Sequence, residues 1–144
     1  ALSGVLLIAA LITVYMIHTA THYSIDFYQV SNSHIKSNVR IVFVSDLHNH
    51  QYGKDNEHLV EDIKALKPDL IISGGDMVIE RDDNYDIALN LCSQLSQIAP
   101  LYGIWGNHEE QRIYQRNDKE LISKFEKAGL NILHAEDFTL VICN

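Results

Sequence analysis

Three polar clusters interrupt an otherwise apolar pattern: Asp46-Leu-His48, Gly74-Gly-Asp76 and Gly106-Asn-His-Glu109. Each follows directly on a short apolar run, and the clusters stand about 30 residues apart. Between them they supply carboxylate, amide and imidazole donors from Asp46, His48, Asp76, Asn107 and His108. Asp and Asn oxygens mixed with His nitrogen suit manganese, iron or zinc, whereas calcium prefers cages built from oxygen alone. In a D-x-H pair at a strand end, residues i and i+2 share one side, so Asp46 and His48 are expected to meet one ion. The glycines before Asp76 and Asn107 let the backbone turn sharply beside a charged ligand. Taken singly, each cluster is ordinary turn chemistry; the three in order, each at a strand end, describe one site.

The elements that must position these clusters alternate in type. Arg40–Val44, Leu70–Ile72 and Leu101–Trp105 are β-branched or apolar runs of the length and kind found in strands buried on both faces. Between them, residues 56–66 place Leu59, Val60, Ile63 and Leu66 on one helical stripe that Pro68 stops, and residues 84–98 place Ile87, Leu91, Leu95 and Ile98 on another that Pro100 closes. Residues 118–128 form a third helix with Leu121, Ile122 and Phe125 inward and Gly129 after its end. Short strands are expected at Ile132–Leu133 and Phe138–Cys143. Strand alternating with helix implies α/β architecture with a largely parallel sheet, whose carboxyl edge is where ligands bind. The run Glu80-Arg-Asp-Asp83 reads as a solvated loop, and His50, His58 and His134 as surface histidines, His50 close enough to the first cluster to touch substrate. Cys92 on a helix stripe and Cys143 in the last strand read as small buried hydrophobes and not as a bridge.

The 144-residue chain carries 19 acidic and 11 basic residues, a net charge of −8, yet residues 1–25 contain none of them. Its 47% apolar and 21% charged fractions exclude a disordered chain, a collagen-like repeat and a disulfide-dense scaffold. The acidic balance excludes a broad electrostatic footprint for nucleic acid. Ala1–Ile17 is apolar except for Ser3, Gly4 and Thr13, and just reaches the ~17–25 residues that span a bilayer. Residues 1–22 are therefore expected to be a single-pass membrane anchor in the cell membrane, with further residues upstream. Residues 23–36 follow as strand and linker, with alternation over Tyr23, Ile25, Phe27 and Val30, and residues 37–144 form the α/β domain.

Val44-Ser-Asp-Leu-His48, Gly74-Gly-Asp76 and Gly106-Asn-His-Glu109 resemble the first three sequence blocks of the calcineurin-like metallophosphoesterases. With its apolar N-terminus the chain is similar in particular to the membrane-anchored bacterial members. The resemblance covers residues 38–144 and implies packed β-sheets flanked by helices around a two-metal centre. By position, Asp46 and His48 would hold the first ion, Asp76 would bridge both, and Asn107 would bind the second. His108 would contact the phosphate and protonate the leaving oxygen, with Glu109 orienting it. Such a centre uses three further histidines from later blocks. After His108 the chain has only His134, which matches none of them. The resemblance therefore implies the N-terminal part of a longer domain, with part of the ligand set and part of the two-sheet core.

Two divalent ions (manganese, iron or zinc) about 3.5–4 Å apart clamp a phosphate and bring a bridging water towards hydroxide at neutral pH, ready to attack phosphorus in line. The expected activity is thus hydrolysis of phosphoesters. Phosphodiesters or lipid-linked pyrophosphates fit an anchor that holds the site near a bilayer. The alternative is a truncated module of the same fold that binds metal or ligand without turnover.

Overall fold

The computed structural model describes residues 2–33, 35 and 37–133. The chain divides into two compact units, Ala1–Ile35 and Lys36–Asn144. In the first unit, α1 spans Leu2–Thr21. It contains no acidic or basic residue apart from His18, and the side chains of residues 3–19 are exposed on every side. Its threonine hydroxyls turn back onto the helix: Thr13 Oγ1 donates to the Ala9 carbonyl at 2.9 Å and Thr21 Oγ1 to the Ile17 carbonyl at 2.8 Å. The expected membrane span is not met at full length, because among the described residues no helix is long and apolar enough to cross a membrane. The physical reason is length: residues 2–17 rise about 24 Å, against a hydrocarbon core of about 30 Å. Residues 22–33 form no strand and are largely exposed, so the alternation from Tyr23 to Val30 has no sheet to serve.

The second unit follows the expected alternation. The strands are β1 (Ile41–Val44), β2 (Leu70–Ser73), β3 (Leu101–Gly103) and β4 (Asn131–Ile132). Helix α2 (Glu57–Leu66) connects β1 to β2, and α3 (Asp86–Leu95) connects β2 to β3. Between β3 and β4 lie α4 (Asn107–Glu110), a π-helical turn Gln111–Gln115 and α5 (Glu120–Lys127). All pairings are parallel, in the order β1-β2-β3-β4. Adding each strand on the same side by right-handed crossovers puts the connecting helices on one face of the sheet.

Burial agrees with that one-sided layering. Val42, Ile71 and Leu101 lie side by side in register and face the helices, where Ile71 and Leu101 pack with Ile63, Ala88, Leu91, Leu95, Leu121 and Phe125. The neighbouring row behaves differently: Ile41 is 52% exposed and Phe43 66%. Arg40–Val44 is therefore an edge strand with one open face, not a strand buried on both, since among the described residues no second sheet covers it. Cys92 is buried and free as expected, and burial pushes its thiol up to about 12. The expected strand Phe138–Cys143, Cys143 and His134 lie outside the described residues.

Candidate metal centre

The three clusters leave the sheet at the same edge. Beyond Val44 the backbone does not continue as strand: Asp46 (φ 59°), His48 (φ 47°) and Asn49 (φ 54°) are left-handed, as is Asp76 (φ 53°) in the loop after β2. Asp, Asn and His are the non-glycine types that tolerate this region, at a cost of about 1–3 kcal/mol each. Backbone pairing between the two loops holds them there. Asp46 N–H donates to the Gly75 carbonyl (3.1 Å), His48 N–H to that of Asp76 (3.0 Å) and Asn49 N–H to that of Met77 (3.0 Å). The meeting of Asp46 and His48 thus comes from two left-handed turns around buried Leu47, not from strand alternation.

The outcome is a compact donor set. One ligand atom each from Asp46, His48 and Asp76 lies within 4.8 Å of the others, with His48 Nε2 3.6 Å from Asp46 Oδ1. Two carboxylates and an imidazole converging from two loops are a suitable donor set for a divalent transition ion. Asp76 Oδ1 also accepts the His108 backbone N–H at 2.9 Å, which ties the second cluster to the third. The His108 ring packs edge-on to His48, with centroids 4.7 Å apart. Asn107 is exposed at the first position of α4.

Two glycines make this approach possible. A Cβ on Gly106 would stand 2.3 Å from Asp76 Oδ1 and 2.4 Å from Asp76 N. A Cβ on Gly75 would meet Gly106 N at 2.2 Å, and Gly75 itself sits at φ +88°. The loops touch backbone to backbone only because neither position carries a side chain.

Glu109 does not orient His108. It is 1% exposed, and both its oxygens are taken by backbone. Oε1 accepts from Met77 N (2.7 Å) and Val78 N (3.1 Å), and Oε2 from Asp76 N (2.8 Å) and Gly106 N (2.9 Å). At the third position of α4 it closes half a capping box on Gly106 and clips the Asp76 loop in the same stroke. A buried carboxylate surrounded by four N–H donors is satisfied without a counter-cation.

The partner of His108 is Glu80. His108 Nδ1 lies 2.5 Å from Glu80 Oε2 and 3.3 Å from the Glu80 backbone nitrogen. Glu80 is held below the usual carboxylate range, first by the N–H of its own backbone and then, against the opposing pull of desolvation, by His108 and Arg81. The Glu80 carboxylate and the Glu80 backbone N–H, which donates to the ring, both engage Nδ1, and this leaves Nε2 for other chemistry. Residues 80–83 are therefore a solvated loop only at Arg81 and Asp83; Glu80 and Asp82 are half-buried and pinned. Arg112, buried at the start of the π-turn, donates to the carbonyls of Glu80 (3.1 Å) and Asp82 (2.7 Å) and pairs with Asp118 (2.8 Å). Asn49 Nδ2 holds the same loop from the other side through Asp82 Oδ2 (2.9 Å) and the Asn84 carbonyl (2.8 Å). Glu80 and Arg112 are the residues that sequence reasoning missed. The available signal was an acid four residues after Asp76 and an arginine four residues after His108. Of the remaining histidines, His50 stacks on Tyr52 and His58 is exposed beside Glu57.

Comparison with known proteins agrees with this geometry. The calcineurin-like phosphoesterase family model matches residues 39–141. Phosphodiesterase YaeI of Escherichia coli (strain K12) is 32% identical over 100 residues, covering 65% of this chain and 36% of the relative. The chain thus spans about a third of that relative's length. The matched span holds all three polar clusters and the loops that join them, and the chain belongs to the calcineurin-like phosphoesterase family.

Proposed function

We propose that the chain carries the N-terminal ligand set of a two-metal phosphodiesterase tethered to a membrane. The observation that supports this most is the convergence of Asp46, His48 and Asp76 beside a histidine whose Nδ1 is fixed by Glu80. Asp46, His48 and Asp76 would hold the metal, and Asn107 would add a neutral amide oxygen as a further ligand. The chemistry that such ions supply when bound is polarisation of the phosphoryl oxygens and acidification of water. His108, protonated on both ring nitrogens, gives its Nε2 proton to the leaving oxygen, while its Nδ1–H stays on the Glu80 carboxylate, which fixes the ring. Glu109 keeps the Asp76 backbone in its left-handed turn, so its part is positional.

A diester is favoured over other phosphate compounds by the relative's activity. A substrate at the bilayer surface, such as a lipid-linked phosphodiester or pyrophosphate, is favoured by α1. That helix is uncharged apart from His18 and apolar on all sides, and its threonine hydroxyls are satisfied by its own carbonyls, as lipid requires. A shortfall of about 6 Å against the hydrocarbon core is accommodated by local thinning at fractions of a kcal/mol per Å. The full-length protein is expected to stay with membranes through alkaline carbonate washing and to hydrolyse bis(4-nitrophenyl) phosphate with manganese. Release by carbonate contradicts the anchor. Bound metal without turnover points to the non-catalytic module instead.

A further inference from the structure

Beside the His108–Glu80 pair lies a cavity of about 350 Å³ lined by Glu80, Arg81, Gln111, Gln115 and Arg116. Its volume is at the lower end for a small-molecule site. The lining is rich in hydrogen-bond donors: two guanidiniums and two carboxamides face a single carboxylate. That carboxylate is already engaged, Oε1 with Arg81 Nε at 3.1 Å and Oε2 with His108 Nδ1 at 2.5 Å. What the cavity offers a visitor is therefore donors and positive charge. Arg81 is 88% exposed and Arg116 46%; Arg81 holds Glu80 through Nε alone and Arg116 donates to the Glu80 carbonyl through Nη1 alone at 2.5 Å, so each keeps further guanidinium N–H groups for a ligand. Asp83 stands 3.6 Å from Arg116, but an exposed carboxylate at that distance is a weak competitor. Gln111, Gln115 and Arg116 belong to the π-helical turn and its C-terminal cap, a geometry that recurs at functional sites.

We propose that this cavity is a subsite for a second anionic group, a carboxylate or phosphate, carried on the leaving-group side of the substrate. Glu80 is the shared wall: one face of it holds the histidine that protonates the leaving oxygen, and the other lines the cavity. The subsite rests on the phosphodiesterase reading for its role but on the cavity's own donors for its existence. It makes the enzyme selective among diesters, with Arg81 and Arg116 as the residues that discriminate.

The test compares methyl 4-nitrophenyl phosphate with methyl 3-carboxy-4-nitrophenyl phosphate on the manganese-loaded full-length protein. The wild type is expected to favour the carboxylated probe in kcat/KM by about tenfold. In Arg81→Gln and Arg116→Gln that preference falls towards unity, mainly through KM. A preference unchanged by both substitutions, or a wild type that favours the uncharged leaving group, overturns the subsite. Calorimetric binding of the carboxylated probe to metal-free protein decides the matter even where neither probe is hydrolysed. Binding weakened about tenfold in the variants upholds the subsite while the phosphodiesterase reading falls, and equal binding overturns the subsite.

Discussion

Glu109, within the histidine-bearing turn, and Glu80, against its histidine, do different work. Glu109 is a buried acceptor for four backbone N–H groups, so replacing one oxygen by an amide nitrogen leaves two of those donors facing a donor. Glu109→Gln is expected to destabilise the protein by about 2–4 kcal/mol in urea unfolding and to weaken manganese binding with it. Glu80→Gln is expected to leave the fold intact and lower kcat by about 10–100-fold, because a ring without its carboxylate is neither oriented nor set in one tautomer. The pH dependence has a definite sign. Glu80 is lowered from its ordinary value of 4.5, so its contribution to stability is present above that value and is lost as pH falls through the lowered one. In Glu80→Gln the acid limb of stability below about pH 4.5 is expected to flatten, read from urea midpoints across pH.

At the scale of elements, the site is a junction between two loops that meet without side chains. Gly106→Ala inserts a methyl group 2.3 Å from Asp76 Oδ1 at a position whose backbone is otherwise acceptable to alanine. It is expected to cost about 2–3 kcal/mol and to abolish metal binding, since the ligand itself must move. Arg112 performs the corresponding task for the 80–83 loop, and Arg112→Met removes a buried cation from Asp118 and two carbonyls at once. The order of elements was legible in the sequence because helical stripes and short β-branched runs differ in period, and the edge they share located all three clusters. The convergence of Asp46 with His48 was legible in outcome but not in cause, since left-handed backbone leaves no periodic trace. Glu80 and Glu109 were hidden for a related reason. An acidic run looks solvated until its partner's position is known, and a motif position does not say which hydrogen bonds its carboxylate makes.

Over the whole molecule, the sheet of the second unit is covered by helices on one face among the described residues. Its helix face holds the core around Leu91, Leu95, Leu121 and Phe125, while its other face exposes Ile41, Phe43 and Ile104. The exposed row of β1 was not legible in the sequence, because a β-branched run reads the same whether one face or both are covered. In the first unit α1 is apolar on all sides, yet among the described residues no helix is long and apolar enough to cross a membrane. Membership of the calcineurin-like phosphoesterases and the gathering of Asp46, His48 and Asp76 make one claim central: these residues hold an ion that the reaction needs. The most direct measurement pairs metal content with turnover of bis(4-nitrophenyl) phosphate for full-length wild type and Asp76→Asn, both reconstituted with manganese. The wild type is expected to retain manganese and hydrolyse the diester, while Asp76→Asn loses bound metal and more than about a hundredfold in kcat. An Asp76→Asn protein with wild-type turnover and wild-type manganese content would contradict the account.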